Sequence, residues 1–179
     1  MENAVQLHDL SFVPYLSEEK ILERVALLGA ELSIEYKNKN PLFLIILNGS
    51  FVFASDLFRR FSGDAEVAFI KSSSYNGTQS TQSLNVSLAP SNQLNGREVI
   101  VVEDIVDSGH SLEKLLPLIR EKQPKSLKIV TLLFKPNAFK GSFAVDYVGF
   151  EIPNDFIVGY GLDYNELGRN LRDIYVLRK

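Results

Sequence analysis

The sequence predicts an α/β fold, in which helices cover both faces of a mostly parallel central sheet. Residues 42–47 and 99–102 are uninterrupted runs of apolar residues, and such runs are typical of strands that are buried on both faces. After each run come a short polar turn and then apolar residues at helical spacing. Because strands that alternate with helices form parallel sheets through crossover connections, this pattern predicts the fold class.

The other elements follow in chain order. Ser17 can cap a first helix, since two acidic residues lie in its first turn and apolar residues recur at helical spacing behind them. A second helix is predicted at residues 52–61, after a tight turn at residues 48–50. An antiparallel excursion is expected around the polar segment 71–83. Further strands are predicted at residues 67–70, 84–88, 128–134, 146–150 and 156–158.

Composition and charge narrow the class of protein. A chain of 179 residues that is 45% hydrophobic can bury one substantial core, so we expect a single domain over residues 1–179. The net charge of −3, with no basic stripe, argues against a nucleic acid as partner. The absence of cysteine excludes disulfides and thiolate metal sites. No apolar run reaches the roughly 20 residues of a spanning helix and none opens the chain, so we expect no signal peptide, no membrane partner and a cytoplasmic location.

The strongest chemical signal follows the second apolar run. Glu103 and Asp104 stand at its carboxyl end, where α/β sheets bind ligands, and two adjacent acids can accept hydrogen bonds from neighbouring hydroxyls of one ring. The hydroxylated, glycine-containing turn at residues 107–111 precedes a helical pattern, and the start of a helix binds anions. An ordinary turn would explain the Asp, Ser and Gly, but not Glu103, because a charged pair beside a buried strand costs several kcal/mol unless something binds it. The segment therefore predicts a sugar-phosphate site.

The same residues resemble the ribose-phosphate motif of the type I phosphoribosyltransferases, in which two acids and two apolar residues precede a short hydroxylated glycine turn. This resemblance implies that Glu103 and Asp104 hold the ribose hydroxyls. It also implies that Asp107 is the catalytic residue, as general base or proton partner at the purine N7. The 5′-phosphate is then expected on the turn formed by Ser108, Gly109, His110 and Ser111, with His110 contributing only its backbone.

The turn after the first apolar run has two interpretations. From its residues alone, an ordinary strand-to-helix turn is the better one. In the family this turn is the pyrophosphate-binding loop, which assigns Asn48 and Gly49 to pyrophosphate. The family often has a lysine where this chain has Asn48, so one positive charge is missing here.

The polar segment at residues 73–81 is, by composition, either a disordered loop or a lid over a site. It is similar to the mobile loop of the hypoxanthine-guanine phosphoribosyltransferases. The resemblance implies that Ser74 and Tyr75 fold over the pyrophosphate. A lid suits the chemistry, because water would capture the sugar cation in an open site.

A third group of residues lies in the last third of the chain. From the residues alone, Lys135 is a solvated surface cation, Phe156 is a core residue, and Asp163 and Arg169 belong to a solvated charged turn. The resemblance to the hypoxanthine-guanine enzymes implies otherwise. There Lys135 bonds the purine 6-oxo group, Phe156 stacks on the base and the backbone of Ile157 reads its edge. Asp163 meets Mg²⁺ and the base, and Arg169 contacts pyrophosphate.

Together these matches span residues 42–169 and imply a hypoxanthine or hypoxanthine-guanine phosphoribosyltransferase of purine salvage. Such an enzyme has the type I phosphoribosyltransferase fold, with a small hood built from the terminal segments. Its substrates are phosphoribosyl pyrophosphate and a 6-oxopurine, and its cofactor is Mg²⁺, with Glu103, Asp104 and Asp163 as the metal residues. A homodimer or homotetramer is expected.

Two alternatives stay open. One is a related transferase that prefers xanthine. The other is a regulator that binds phosphoribosyl pyrophosphate without catalysis. Asp107, Lys135 and Arg169 are all present, which argues against the regulator, and a transcriptional regulator would also add a basic DNA-binding helix.

Overall fold

The computed structural model describes residues 4–71 and 94–178. In these residues nine strands and three helices follow one another along the chain. They are β1 (Val5–Leu7), β2 (Leu10–Leu16), α1 (Glu18–Glu35), β3 (Leu42–Leu47), α2 (Phe51–Arg60), β4 (Glu66–Lys71), β5 (Glu98–Val106), α3 (His110–Arg120), β6 (Ser126–Phe134), β7 (Tyr147–Glu151), β8 (Ile157–Val158) and β9 (Ile174–Leu177).

The main sheet has the strand order β4-β3-β5-β6-β7, and every neighbouring pair in it is parallel. This arrangement confirms the predicted fold class. The two apolar runs become β3 and β5, the central strands. β5 is longer than the run that predicted it, so Glu103 and Asp104 lie within the strand instead of after its end.

Helices cover both faces of this sheet, as predicted. Successive residues of a strand point to opposite faces, so Phe43 and Ile100 pack under α1 and α2 in one cluster of buried residues. Leu44 and Val101 pack under α3 in a second cluster. The strands are therefore buried on both sides, which explains why their sequences lack the alternation of a half-exposed strand.

A second, antiparallel sheet with the order β1-β2-β9-β8 forms the expected hood. Of its strands, the sequence patterns predict only the one at residues 156–158, and they miss β1, β2 and β9 for a physical reason. These three strands are mostly half-exposed, and Pro14 interrupts β2, so they lack the apolar runs that reveal buried strands. The strand predicted at residues 84–88 and the antiparallel excursion lie outside the described residues.

In the described part of the chain, no helix is both long enough and apolar enough to cross a bilayer.

The amino end of the main sheet carries a buried carboxylate. Glu98, at the start of β5, is 8% exposed and pairs with Lys125 at 2.8 Å. It also accepts a hydrogen bond from the Ser126 hydroxyl at the start of β6. The bonds from Lys125 and Ser126 lower the pKa of Glu98 below its usual value. The Glu98 carboxylate therefore links the start of β5 to the start of β6.

A pH-dependent loss of stability is expected from Glu98→Gln. Because the pKa of Glu98 is lower in the folded than in the unfolded state, the carboxylate stabilises the fold above its unfolded pKa. This stabilisation is lost as the pH falls through the lowered folded pKa. The variant should lose about 1 kcal/mol of unfolding free energy at pH 7, and the difference should vanish well below about pH 4. Urea unfolding across this pH range measures it.

Glu121→Gln is the matched control, since Glu121 is an exposed carboxylate at the end of α3. Glu121→Gln should cause no loss of stability at any pH, because a carboxylate at the carboxyl end of a helix is not stabilised by the helix dipole. A deficit for Glu98→Gln that stayed constant from neutral pH into acid would contradict the ionic origin of the stabilisation.

Candidate active site

A cavity of about 340 Å³ opens at the carboxyl end of β3 and β5. Its walls are Ile46 and Leu47 from β3, together with residues 103–112 from the end of β5, the following turn and the start of α3. Parallel strands bring their carboxyl ends to one edge of the sheet, which is why these segments meet. The cavity therefore unites the acid pair and the turn that the sequence singled out.

The acid pair of Glu103 and Asp104 lies in an environment that disfavours its charge. Burial, and then the negative charge of Asp104, raises the pKa of Glu103 well above its usual range. Burial also raises the pKa of Asp104, although the positive charge of Arg169 opposes the rise. The amide of Ile105 donates to Oδ1 of Asp104 at 2.9 Å. Asp104 is buried and Glu103 is half-buried, and a ligand that brings hydroxyl donors or positive charge stabilises two carboxylates so placed.

The turn after β5 leads into the start of α3. Gly109 has φ of +80°, a conformation that glycine adopts without steric cost, and it caps α3. Its carbonyl accepts the Glu113 amide at 2.9 Å, while the Ser108 hydroxyl lies 3.4 Å from the His110 amide. The first amides of a helix have no carbonyl partner within it, so the wall formed by residues 107–112 can bind an anion.

Aromatic rings support this turn from behind. A Cβ on Gly109 would lie 2.7 Å from the ring of Phe139, which packs edge-on against Phe134 and Phe143 at 5.3 and 5.1 Å. The Lys140 amide also donates to the Ser108 carbonyl at 3.1 Å. Sequence reasoning missed Phe139, although two phenylalanines just beyond a strand end are a signal that could have drawn attention to it.

The turn between β3 and α2 lies directly against the acid pair. A Cβ on Gly49 would overlap Oδ2 of Asp104, so only glycine fits there with the present backbone. The Leu47–Asn48 peptide is cis, and Asn48 is exposed. Ser50, fully buried, donates its hydroxyl to the Ile46 carbonyl. The two predicted pyrophosphate residues of this turn thus lie beside the predicted ribose residues.

The segment that carries Asp163 and Arg169 reaches the same turn. Gly161 has φ of +102°, and a Cβ there would overlap the Gly49 carbonyl. The Arg169 guanidinium donates to the Gly161 carbonyl at 2.9 Å and pairs with Asp163 at 2.8 Å. Asp163 and Arg169 are both partly buried, so the interpretation as a solvated charged turn is wrong for them. Gly161 is a further residue that sequence reasoning missed.

Lys135 and Asp107 form an ion pair at 2.8 Å. Lys135 is 6% exposed, so the interpretation as a solvated surface cation is wrong. The side chain of Asp107 is half-exposed and lies on the cavity wall. The residue predicted to read the base and the residue predicted to move a proton therefore bond each other in the free protein.

Phe156 is 44% exposed, so its interpretation as a core residue is wrong. Its ring meets Tyr164 and Phe12 at centroid distances of 5.8 and 6.0 Å. The next residue, Ile157, has a buried side chain and pairs with Val176 in the hood sheet. The hood thus presents an aromatic ring held by neighbouring rings, with free surface on which a planar ligand can stack.

The comparisons with known proteins agree with this geometry. The family model of the phosphoribosyl transferase domain matches residues 15–165. The chain belongs to the phosphoribosyltransferase family. The hypoxanthine-guanine phosphoribosyltransferase of Bacillus subtilis is 43% identical over 172 residues, which cover 96% of this chain and 95% of that protein. A crystal structure of a hypoxanthine-guanine phosphoribosyltransferase from Bacillus anthracis superposes with a TM-score of 0.83 at 39% identity, covering 92% of this chain and 96% of that chain.

One relative is much longer than this chain. The bifunctional protein TilS/HprT of Listeria innocua is 43% identical over 164 residues, which cover 91% of this chain and 25% of that protein. The chain therefore spans about a quarter of that relative, and nearly the whole of the Bacillus subtilis one.

Two predictions, the metal residues and the pyrophosphate lid, have no direct counterpart among the described residues. Among residues 4–71 and 94–178, no cluster of three or more His, Asp or Glu side chains could hold a metal ion on its own. The structure thus does not gather Glu103, Asp104 and Asp163 into one ready cluster, and their role as metal residues stays a prediction. Ser74 and Tyr75, predicted to fold over pyrophosphate, lie outside the described residues.

The contact between Gly49 and Asp104 generates a test. In Gly49→Ala the new methyl group meets Oδ2 of Asp104, and overpacking of this kind costs about 1–3 kcal/mol of unfolding free energy. Asp104→Ala removes the oxygen that the methyl group meets. The double variant should therefore lose distinctly less unfolding free energy than the sum of the two single losses. Urea unfolding measures all three values.

Gly96→Ala serves as control for a strained glycine with room around it. Gly96 has φ of +71°, and a Cβ there would have no neighbouring atom within 4 Å, so its loss of stability comes from the backbone alone. It should add to Asp104→Ala without coupling. Strict additivity of Gly49→Ala with Asp104→Ala would show that the turn does not depend on this contact.

Proposed function

We propose that this chain transfers the 5-phosphoribosyl group of phosphoribosyl pyrophosphate to hypoxanthine and guanine, releasing pyrophosphate, as a purine salvage enzyme. The observation that carries the proposal is the union, on one cavity, of the acid pair, the anion-binding turn and Asp107, whose carboxylate pairs with the buried Lys135. The similarity to the hypoxanthine-guanine phosphoribosyltransferases supports it.

The acid pair and the turn suit a ribose 5-phosphate. Glu103 and Asp104 accept hydrogen bonds from the 2′- and 3′-hydroxyls, which relieves the unfavourable burial of two carboxylates. The amides of residues 108–111 and the Ser108 and Ser111 hydroxyls donate to the 5′-phosphate at the positive end of α3. Fixing both ends of the sugar orients its anomeric carbon toward the incoming base.

The Lys135–Asp107 pair suits one edge of a 6-oxopurine. The N7 hydrogen of such a base is a donor, and the neighbouring 6-oxo group is an acceptor. Asp107 accepts at N7 and Lys135 donates to the oxygen, so the two side chains present the complementary pattern. As the bond to the sugar forms at N9, Asp107 takes the proton that the base loses at N7. Phe156 offers the stacking surface.

The residues around the acid pair also fit Mg²⁺. Carboxylate oxygens are ligands that Mg²⁺ prefers, and it commonly takes one or two from the protein and the rest from substrate phosphates and water. Glu103, Asp104 and Asp163 would share it with the substrate in this way, and the bound ion supplies positive charge to the leaving pyrophosphate. Arg169 contributes a second positive charge near this group, within reach of Asp104.

Substrate selectivity tests the proposal. With phosphoribosyl pyrophosphate and Mg²⁺, kcat/KM for hypoxanthine and guanine should exceed that for adenine by up to roughly 10⁴-fold. The reason is that the 6-amino group of adenine is a donor, so it meets the ammonium donor of the buried Lys135 and leaves the N–H that would reach a 6-oxo group unpaired. Higher kcat/KM for xanthine would favour the xanthine-preferring transferase. Binding of phosphoribosyl pyrophosphate without turnover of any of the four bases would favour the regulator.

The proton transfer has its own test in Asp107→Asn. Asparagine keeps the shape of the side chain but is no base, so kcat for hypoxanthine should fall by about 10²–10⁴-fold while KM for phosphoribosyl pyrophosphate changes little. Asp64→Asn is the control, because Asp64 is an exposed aspartate in the loop before β4. A kcat for Asp107→Asn equal to that of Asp64→Asn would assign the proton to another group.

A further inference from the structure

A buried tyrosine joins the Arg169 segment to helix α2. Tyr160 is 3% exposed, and its hydroxyl donates to Oδ2 of Asp56 at 2.5 Å. Asp56 lies in α2, so this bond joins the helix to the segment that carries Arg169. Burial and the bond to Asp56 raise the pKa of Tyr160, so the phenol keeps its proton and acts as the donor. Neither residue belongs to the set assigned to ribose, base, metal or pyrophosphate.

The backbone at Tyr160 is unusual for a residue with a side chain. Its φ is +50°, between Gly159 and Gly161, which both have φ of +102°. A non-glycine residue persists in this region only when surrounding contacts hold it there. The described contacts that do so are the Asp56 bond and the bond from the Tyr160 amide to the Leu171 carbonyl at 2.8 Å.

Tyr160 precedes Gly161, which contacts both the Gly49 turn and Arg169, the two groups assigned to pyrophosphate. The next residue, Gly161, packs on the Gly49 carbonyl so closely that a Cβ would overlap it. The Gly161 carbonyl accepts from the Arg169 guanidinium at 2.9 Å, and its amide donates to the Arg169 carbonyl at 3.0 Å. Any rotation of the backbone at Tyr160 therefore moves Arg169 relative to the Gly49 turn.

Asp56 fixes the other side of this junction. Helix α2 begins directly after the turn at residues 48–50, so Asp56 and Gly49 lie on one continuous stretch of chain, and the Ala54 amide donates to the Ser50 carbonyl at its start. The two residues of the hydrogen bond are 104 positions apart in sequence, and each is attached to one of the two segments that the proposed function assigns to pyrophosphate.

We propose that the Tyr160–Asp56 hydrogen bond is a positioning contact, which aligns the Arg169 guanidinium with the Gly49 turn so that the two bind pyrophosphate together. This inference rests on the proposed function. In this proposal neither residue touches pyrophosphate. Tyr160 acts through Gly161, and Asp56 acts through α2.

The hydroxyl can be removed with little change to the core. The ring of Tyr160 packs in the same buried cluster as α1 and α2, and phenylalanine keeps that packing. Asp56→Asn keeps an acceptor oxygen for the phenol, whereas Asp56→Ala removes it. Tyr147→Phe is a matched control, because the Tyr147 hydroxyl donates to Glu35 in the same kind of bond at the start of β7, the opposite end of the sheet from the cavity.

Calorimetric binding of pyrophosphate with Mg²⁺ to the full chain tests the inference. Tyr160→Phe and Asp56→Ala should each weaken binding by about tenfold, the effect of losing a hydrogen bond to a carboxylate. The affinity of Asp56→Asn for pyrophosphate should stay within about threefold of that of the wild type. Tyr147→Phe should bind pyrophosphate as tightly as the wild type does. The double variant Tyr160→Phe/Asp56→Ala should be no weaker than either single variant, because both remove the same bond.

Two further readouts separate positioning from loss of stability. In steady-state kinetics of Tyr160→Phe, KM for phosphoribosyl pyrophosphate should rise while KM for hypoxanthine stays at the wild-type value. Amide hydrogen exchange at residues 159–171 should be faster in Tyr160→Phe, with the residues of β3 and β5 unchanged.

The outcomes that overturn the inference differ from those that overturn the proposed function. Wild-type affinity for pyrophosphate in Tyr160→Phe, or an equal loss in Tyr147→Phe, overturns the positioning role alone. A parallel rise of KM for both substrates does the same, because it indicates a general disturbance of the fold. Wild-type protein that binds no pyrophosphate and turns over no purine overturns the proposed function and the inference together.

Discussion

The placing of two adjacent carboxylates, largely out of water, at the carboxyl end of the central strand is the constraint on which the site depends. Asp104 is buried and Glu103 is half-buried on the cavity wall, on a strand that is covered on both faces, so water cannot stabilise their charges fully. The described partners that favour the charge of Asp104 are the Glu103 side chain, the backbone amides of Ile105 and of Asp104 itself, and the positive charge of Arg169. A ligand that supplies hydroxyl donors or positive charge would add further stabilisation. The acid pair therefore lowers the stability of the free protein and favours ligand binding.

This constraint also explains why glycines gather around the acid pair. Gly49 leaves room for the Asp104 carboxylate, and Gly161 leaves room for the Gly49 carbonyl. The result is a stack of three segments, from β5 through the turn after β3 to the segment that carries Arg169. Side chains at these two positions would push the three segments apart and so separate Asp104 from Arg169.

Much of the fold could be predicted because its central strands are buried on both faces. Residues 42–47 and 99–102 have no polar residue to interrupt the signal, and the structure places both in the middle of the sheet. The strands of the hood are harder to predict from the sequence, because β2 contains Pro14 and is mostly half-exposed. β9 is largely half-exposed as well. Only the resemblance to a known family predicted that the terminal segments form a hood.

The candidate site could be predicted where it is local in sequence, and could not where it depends on distant contacts. Residues 103–111 form one continuous motif, and they line one cavity. The bond between Tyr160 and Asp56, and the packing of Phe139 behind Gly109, join segments whose spacing carries no periodic signal. The ion pair between Lys135 and Asp107 is of the same kind, because each residue alone has an ordinary surface interpretation and only their meeting gives the pair its chemistry.

In the function that we propose, the two sheets would make different contributions to recognising a base. Asp107 and Lys135 follow neighbouring strands of the parallel sheet, whose core holds their backbone in place, and they would fix which atoms the edge of a base must present. Phe156 belongs to the hood, where its ring contacts Phe12 and Tyr164 but keeps an exposed surface. Stacking tolerates many planar rings, whereas a donor and an acceptor at fixed positions do not. On this proposal, discrimination between bases would depend on the parallel sheet, and the hood would contribute affinity that is common to all purines.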